Sequence, residues 1–354
     1  MCGLDGIYNE HLIYASESLI YALSCLFDAM YRTAYVPIEL KRGFSITMLK
    51  GSNKRKDDPK SYRAITLSSV ILKLYQNLLL KRIKSRIEFS ISPLQGGFQK
   101  RMGCIMTSYL VKECELFCKE NKSKLFACFL DTMTAFDKVW HDGLFYKLHK
   151  LGISGRLWHS VVAMHTDMFS CVMMNGYKSD WFPVLLGTAQ GGAWSPFLYL
   201  IYINDLIVKL TEIAGGLSIG NICSCAPTVA DDMLLLSISI TGLQSMIDTC
   251  YDYSRKWRFQ FNSSKCGIIV FNESKNAAVK ARRKFNLGSH TIQEVLEYTH
   301  LGVLMTPSYL KHTRAKTYST RIRKTYFSLL NCAFHDNGLS PATCKNIYCH
   351  IVLP

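Results

Sequence analysis

No stretch of this chain holds the roughly 20 consecutive apolar residues that a helix needs to cross a bilayer. Residues 18–27 are too few and have no basic lead-in, and residues 197–210 are interrupted by Asn204, Asp205 and Lys209. Neither a helical span nor a secretory leader is expected there. No two of the 14 cysteines have Cys-x-x-Cys spacing, so neither a zinc ribbon nor a secreted disulfide framework is supported. Mostly free thiols in a reducing compartment are expected, and the cluster of Cys344, Cys349 and His350 is a weak metal hint. Low-complexity tracts and internal repeats are lacking too. Acid is the scarce charge, with 26 Asp and Glu against 42 Lys and Arg and a formal net charge of +16. The expectation is a soluble intracellular protein of the nucleus or cytoplasm, with no membrane partner and no mark of a specific protein partner.

What is present is enough apolar material, 49% of 354 residues, to bury a real core in two or three lobes. The positive charge is uneven. Residues 41–101 carry 15 Lys/Arg against 3 Asp/Glu and residues 275–326 carry 11 against 2, while residues 102–274 hold 14 basic and 15 acidic groups. Two basic segments around a near-neutral middle give the electrostatic outline of a nucleic-acid channel with an acidic floor. Taken alone, either segment is equally a solvated basic face.

Within that middle, Ala230-Asp231-Asp232 lies between two apolar runs, residues 223–229 and 233–240, that read as a strand pair. A third carboxylate, Asp131, ends another apolar run, Leu125–Leu130, which puts it at the carboxyl end of a strand. Clustered carboxylates raise each other's pKa, and binding a hard divalent cation such as Mg²⁺ keeps them ionised. Two such ions about 3.5–4 Å apart clamp the attacking and leaving oxygens of a phosphoryl transfer. Asp-Asp is also a common turn dipeptide, and these residues alone leave both readings open.

Along the chain, residues 8–31 have helical spacing and residues 44–49 read as a strand, followed by a Lys/Arg-rich loop over 51–59. A helix is predicted over about 69–88, capped by Ser68 or Ser69, with Val70, Ile71, Leu74, Leu78 and Ile83 on its buried side. Further helices are predicted near 106–121, 141–151, 154–165, 242–257, 316–334 and 342–351. Asn175-Gly176, between apolar runs 171–174 and 181–184, predicts a hairpin whose turn residues 178–179 could lengthen. Ser195 and Pro196 read as the N-cap and first residue of a helix reaching about Thr211, opened by a glycine loop at Gly191-Gly192. Residues 268–271 read as a strand and residues 292–305 as one hairpin containing Leu301-Gly302-Val303.

In order, these segments resemble the reverse transcriptase domain of non-LTR (LINE-like) retrotransposons. The resemblance is carried by Gly3-Leu4-Asp5-Gly6-Ile7, Tyr62-Arg63-Ala64-Ile65, Gln95-Gly96-Gly97-Phe98, Phe129-Leu130-Asp131 with Ala135-Phe136-Asp137, Gln190-Gly191 with Ser195-Pro196, Ala230-Asp231-Asp232, Asn262 with Lys265, and Leu301-Gly302-Val303. Each is weak alone; the ordered set is specific. The resemblance implies an α+β right-hand polymerase. Fingers would cover residues 1–122, a ferredoxin-like antiparallel palm sheet flanked by helices 123–305, and a partial helical thumb 306–354, with the reverse transcriptase region overall about 30–305. It implies that Asp131 and Asp231 ligate two Mg²⁺ ions, or Mn²⁺, helped by Asp232 and the Thr132 carbonyl. It implies Phe136 as a steric gate against the ribose 2′-OH, although a core aromatic is the plain alternative, and it leaves Asp137 a structural role. Lys50 and Arg63 would hold the incoming triphosphate, Gln190 and Gly191 border the nascent base pair, Lys265 protonate the pyrophosphate leaving group, and Leu301, Gly302 and Val303 form the primer grip. RNA template, DNA primer and dNTPs are the implied partners.

Two departures stand out: Val229 where Tyr or Phe is common, and Ala64 where Pro is usual. Neither removes a ligand. The chain starts at the first fingers motif and stops where a thumb helix should continue, as an excerpt or a decayed copy of a longer element would. The function expected is RNA-directed DNA polymerisation. A non-catalytic nucleic-acid-binding remnant and an intron maturase-like RNA-binding protein are the alternatives.

Overall fold

A computed structural model of the chain describes residues 3–51, 54–87, 90–274, 283–307, 311–330, 338–347 and 349. The elements run α1 (Asn9–Ile13), α2 (Glu17–Thr33), α3 (Ile38–Lys41), β1 (Arg42–Leu49), β2 (Tyr62–Ser68), α4 (Val70–Ile87), α5 (Cys104–Glu120), β3 (Leu125–Leu130), α6 (His141–Lys150), α7 (Gly155–His165), β4 (Phe169–Met174), β5 (Tyr177–Lys178) and β6 (Phe182–Pro183). After them come α8 (Ser195–Thr211), β7 (Ser218–Ile219), β8 (Ile222–Cys223), β9 (Thr228–Val229), β10 (Asp232–Ser237), α9 (Ile240–Lys256), β11 (Gly267–Phe271), β12 (Phe285–Leu287), β13 (His290–Ile292), β14 (Tyr298–His300), β15 (Val303–Met305), α10 (Lys311–Leu330) and α11 (Pro341–Ile347). Helix and strand are mixed, as expected.

One sheet has the order β11-β3-β10-β9 and is antiparallel throughout. Its central strand β3 is buried at all six positions, which is why it reads as an unbroken apolar run rather than an alternating one. The period of two sorts its side chains into separate cores. Phe126, Cys128 and Leu130 join the large cluster containing Leu198, Tyr202 and Leu206 of α8 and Leu243, Met246 and Cys250 of α9. Leu125, Ala127 and Phe129 join a second cluster with Val111, Cys114 and Cys118 of α5. α8 is buried almost all round, and its Asn204 is satisfied by accepting from the Ser92 N–H (2.7 Å) and donating to the Ser90 carbonyl (2.8 Å).

The second sheet has the order β2-β1-β4-β5 with β6 also on β4, and β1 and β4 run parallel. Asn175 (φ 52°) and Gly176 (φ 83°) form the two-residue turn between β4 and β5, as the Asn-Gly pair predicts. α10 is tied back to the β14–β15 hairpin where the Leu304 N–H donates to the Tyr318 hydroxyl (2.8 Å).

Several local expectations are corrected. Residues 8–31 divide into α1 and α2, because Ser16 accepts from the Leu19 N–H and starts a new helix. Ile240 belongs to α9, capped by Ser239, not to the preceding strand. Ser195 is the first residue of α8 rather than its cap, which is Trp194. The cap of α4 is Ser69, accepting from Leu72 N–H, but Leu78 is exposed and the buried row runs through Leu72, Tyr75, Leu79 and Ile83. Apolar residues surround α4, so periodicity could not choose its inner face. The hairpin expected over 292–305 is β14–β15, confined to 298–305, and a further hairpin, β12–β13, precedes it over 285–292. The predicted helices over 316–334 and 342–351 are described as α10 and α11, and their ends, with His350, lie outside the described residues. Cysteines 25, 104, 114, 118, 128, 171, 223, 225, 250, 266, 344 and 349 are free. Among the described residues no helix is long and apolar enough to cross a membrane.

Candidate active site

Register brings the acids together. Met233 pairs with Leu130 across β10 and β3, and Asp232 pairs with Val229 across the tight turn to β9. Asp232, one residue before Met233, therefore faces Asp131, one residue after Leu130. The turn depends on Ala230, whose φ of 55° is left-handed and costly for a residue with a Cβ. A fully buried side chain holds it there: Gln95 Oε1 accepts from the N–H groups of both Ala230 and Gly97, each at 2.9 Å. The Gly96 N–H donates to the Thr228 carbonyl (2.7 Å) and the Thr228 N–H to the Leu94 carbonyl (2.9 Å), lacing the same loop to β9. A Cβ at Gly97 would stand 2.6 Å from the Ala230 nitrogen, and one at Gly96 would collide with Thr107 Oγ1. Gln95-Gly96-Gly97 thus has a physical rationale: two residues without side chains let a loop close on the turn, and an amide oxygen fixes it.

The carboxylates are electrostatically coupled. Burial first, then the charges of Asp231 and Asp131, push the Asp232 carboxyl up to about 6. Burial and Asp131 raise Asp231 as well, against the opposing charges of Arg63 and Lys265. Lys265 Nζ lies 3.1 Å from Asp131 Oδ2. Among the described residues no three His, Cys, Asp or Glu side chains are disposed to hold a metal ion as they stand. The donor set nonetheless suits a hard divalent cation, since all its atoms are oxygens and a cation would offset the penalty carried by Asp231 and Asp232. Thr132 makes a bridge with Phe261, flanked by bonds from Asn262 N–H to the Asp131 carbonyl (2.8 Å) and from Met133 N–H to the Gln260 carbonyl (2.9 Å). That pattern turns the backbone carbonyl of Thr132 away from Phe261.

Around this centre the other residues divide. Phe136 is half-buried, stacked on Tyr199 (4.8 Å between centroids) and edge-on to Phe98 (6.4 Å). Tyr199, one turn into α8, is buried, and burial together with the charge of Asp231 holds its phenol protonated. Arg63, exposed on β2, acts at Asp231, whereas Lys50 donates to the Lys60 carbonyl (2.9 Å) and its charge is felt at Asp137 instead. Gln190 Nε2 donates to Asp137 Oδ1 (3.1 Å), and its carbonyl accepts from the Thr66 N–H (2.7 Å). Gly191, at φ 110°, lets the chain pass where a Cβ would stand 2.8 Å from the Thr66 carbonyl. The Gln190-Gly191 pair therefore docks against β2 and, through Asp137, ties it to the segment that follows β3. Leu301 (φ 50°) and Gly302 (φ 78°) make the turn between β14 and β15, and Tyr298 of that hairpin stacks on Phe129 at 4.3 Å, its phenol raised by burial first and then by the charge of Asp131.

The family model for reverse transcriptase (RNA-dependent DNA polymerase) matches residues 53–305. The chain belongs to the reverse transcriptase family. It is 29% identical over 99% of its length to the RNA-directed DNA polymerase from mobile element jockey of Drosophila funebris, and spans 38% of that protein. It is 28% identical over 76% of its length to the probable RNA-directed DNA polymerase from transposon X-element of Drosophila melanogaster, and spans 30% of it. Apo telomerase from Candida tropicalis, truncated from its C-terminal domain, superposes with a TM-score of 0.52 at 14% identity, over 82% of this chain and 58% of that one; this likeness is one of fold. This reverse transcriptase domain thus has its homologues among non-LTR retrotransposon polymerases. Three residues about its carboxylates were assigned no role from sequence: Gln95, Tyr199 and Tyr298. Gln95 stood inside a quoted motif, and Tyr199 lies one helical turn beyond Ser195-Pro196. Tyr298 gave no signal, because its relation to Asp131 arises only through stacking on Phe129.

Proposed function

We propose that this chain is the polymerising unit of a non-LTR retrotransposon protein, joining dNTPs to a primer 3′-hydroxyl on an RNA template. The observation that carries the reading is the β3–β10 register, which sets Asp131 opposite Asp232 beside Asp231. On this reading the β11-β3-β10-β9 sheet with α8 and α9 is the palm, within 123–305. The β2-β1-β4 sheet and α1–α5 supply fingers, mostly from 1–122, and α10 and α11 begin a thumb over 306–354.

Asp131 and Asp231, with Asp232 and the Thr132 carbonyl, would hold two Mg²⁺ ions, or Mn²⁺. Bound there, the ions would lower the pKa of the attacking hydroxyl and neutralise charge on the departing pyrophosphate. The chain's own residues do the positioning. Arg63 offers a planar fork to the triphosphate, assisted by Lys50 once it leaves the Lys60 carbonyl. Phe136, fixed by Tyr199, presents an edge that excludes a 2′-OH. Gln190 and Gly191, anchored on Asp137 and Thr66, border the new base pair. Lys265, released from Asp131, donates a proton to the leaving oxygen, and Leu301, Gly302 and Val303 grip the primer.

Primer extension on poly(rA)/oligo(dT) with Mg²⁺ tests this. Incorporation by the wild type and its loss in Asp231→Asn are expected. Equal incorporation by both would defeat the carboxylate assignment, and none by either would make the chain a nucleic-acid-binding remnant.

A further inference from the structure

Beside the carboxylates, outside every role assigned above, lies a groove of about 700 Å³ between the segment that follows Asp131 and the residues that end α9. Its floor is the pair of backbone bonds joining Met133 to Gln260 and Asn262 to Asp131. Lys138, Arg255, Arg258 and His290 line it, and no carboxylate does. Among the described residues none of Lys138, Arg255 and Arg258 forms an ion pair. The Arg258 guanidinium lies 3.9 Å from the centroid of the Trp140 ring, and Arg255 lies over Tyr251 at 5.9 Å. Stacking of this kind fixes a guanidinium while leaving its in-plane N–H donors free for an anion.

Backbone strain marks the same place. Thr134 (φ 46°) and Arg258 (φ 58°) are both left-handed, and both line the groove. A β-branched residue with positive φ is a genuine outlier, and strain of this sort gathers where a side chain or loop must be aimed. The volume falls within the about 300–1,000 Å³ of small-ligand sites.

We propose that this groove binds a compact polyphosphate anion, with the Arg255 and Arg258 guanidinium groups as its main donors. The binding claim stands on the groove itself; naming pyrophosphate as the natural occupant rests on the polymerase reading, since that reaction releases it next door.

Calorimetric titration of inorganic pyrophosphate into the chain in EDTA at low ionic strength tests the claim without any metal-borne site. Saturable binding is expected in the wild type and equally in Asp231→Asn. It should weaken by at least about tenfold in Arg255→Gln/Arg258→Gln, because both charge-assisted donors to the anion are lost. If the double variant misfolds, mass-spectrometric mapping of phenylglyoxal modification on the wild type replaces it, with pyrophosphate expected to protect Arg255 and Arg258 but not Arg32 on α2. Absence of saturable binding, or binding indifferent to both arginines, overturns the proposal. So does an arginine-dependent affinity for oligo(dT) without one for pyrophosphate or tripolyphosphate, which would make the groove a strand site. Because the titration contains no metal and no substrate, it can fail while primer extension succeeds, and the reverse.

Discussion

Gln95 carries more of the site than its place outside the acidic residues suggests. Its single side-chain oxygen satisfies two buried N–H groups, and leaving a buried donor unpaired costs about 1–3 kcal/mol. Gln95→Leu is therefore expected to lower the urea midpoint and, by freeing the Ala230 turn, to raise the Mg²⁺ concentration needed for half-maximal incorporation. A purely structural role would move only the first. Asp232 gives a test of opposite sign. Its folded pKa of about 6 lies above the ordinary 3.8, so without metal the folded chain binds this proton more tightly than the unfolded chain. Stability is then lost as pH rises from about 4 to about 6, and the loss persists above that. Asp232→Asn should melt higher than wild type in EDTA at pH 7, the gap closing below about pH 4; a variant that melts lower would contradict the burial argument.

Among the elements, the approach of the Gln95 loop to the β9–β10 turn leaves no room for a methyl group. Gly97→Ala is expected to cost about 1–3 kcal/mol by overpacking against the Ala230 backbone, read as a lower urea midpoint with an unchanged m-value. A second test lies where α6, α8 and α9 meet. Lys147 is buried against Trp257, paired with Asp205 at 2.6 Å, and lowered to about 8 by burial. Its charged form is penalised in the folded state, so stability should rise between about pH 8 and about pH 10.5 in wild type relative to Lys147→Met. These elements also show what the sequence could carry. β3 was legible because a short apolar run ending in an acid suits a strand covered on both faces, and the Asn175-Gly176 turn because both residues tolerate positive φ. The inner face of α4 was not, since apolar residues surround the helix and only contact with its neighbours, as where Tyr75 meets Phe27 of α2, selects a row. Nor was the capture of Lys265 by Asp131, or of Gln190 by Asp137: both partnerships join residues over 50 positions apart, and spacing along the chain says nothing of them.

At the scale of the molecule, the two basic segments are matched by few acids, and duplex binding should be strongly salt-dependent. Each phosphate contacted adds about 0.7–0.9 to the log–log slope, whereas Arg63→Gln, whose target is the triphosphate, should leave the slope for duplex binding unchanged. The chain spans 38% of the jockey protein of Drosophila funebris, and the work of the full-length element stays a proposal built on the unit described. Everything at this scale returns to whether the side chains of Asp131, Asp231 and Asp232 share cations. Titration of Mn²⁺ followed by electron paramagnetic resonance measures that directly, with no template, primer or turnover. Saturable binding is predicted for wild type, weakened by at least about tenfold in Asp131→Asn and in Asp231→Asn alike, because affinity follows the number of charged ligands. Unchanged Mn²⁺ affinity in either variant would contradict it.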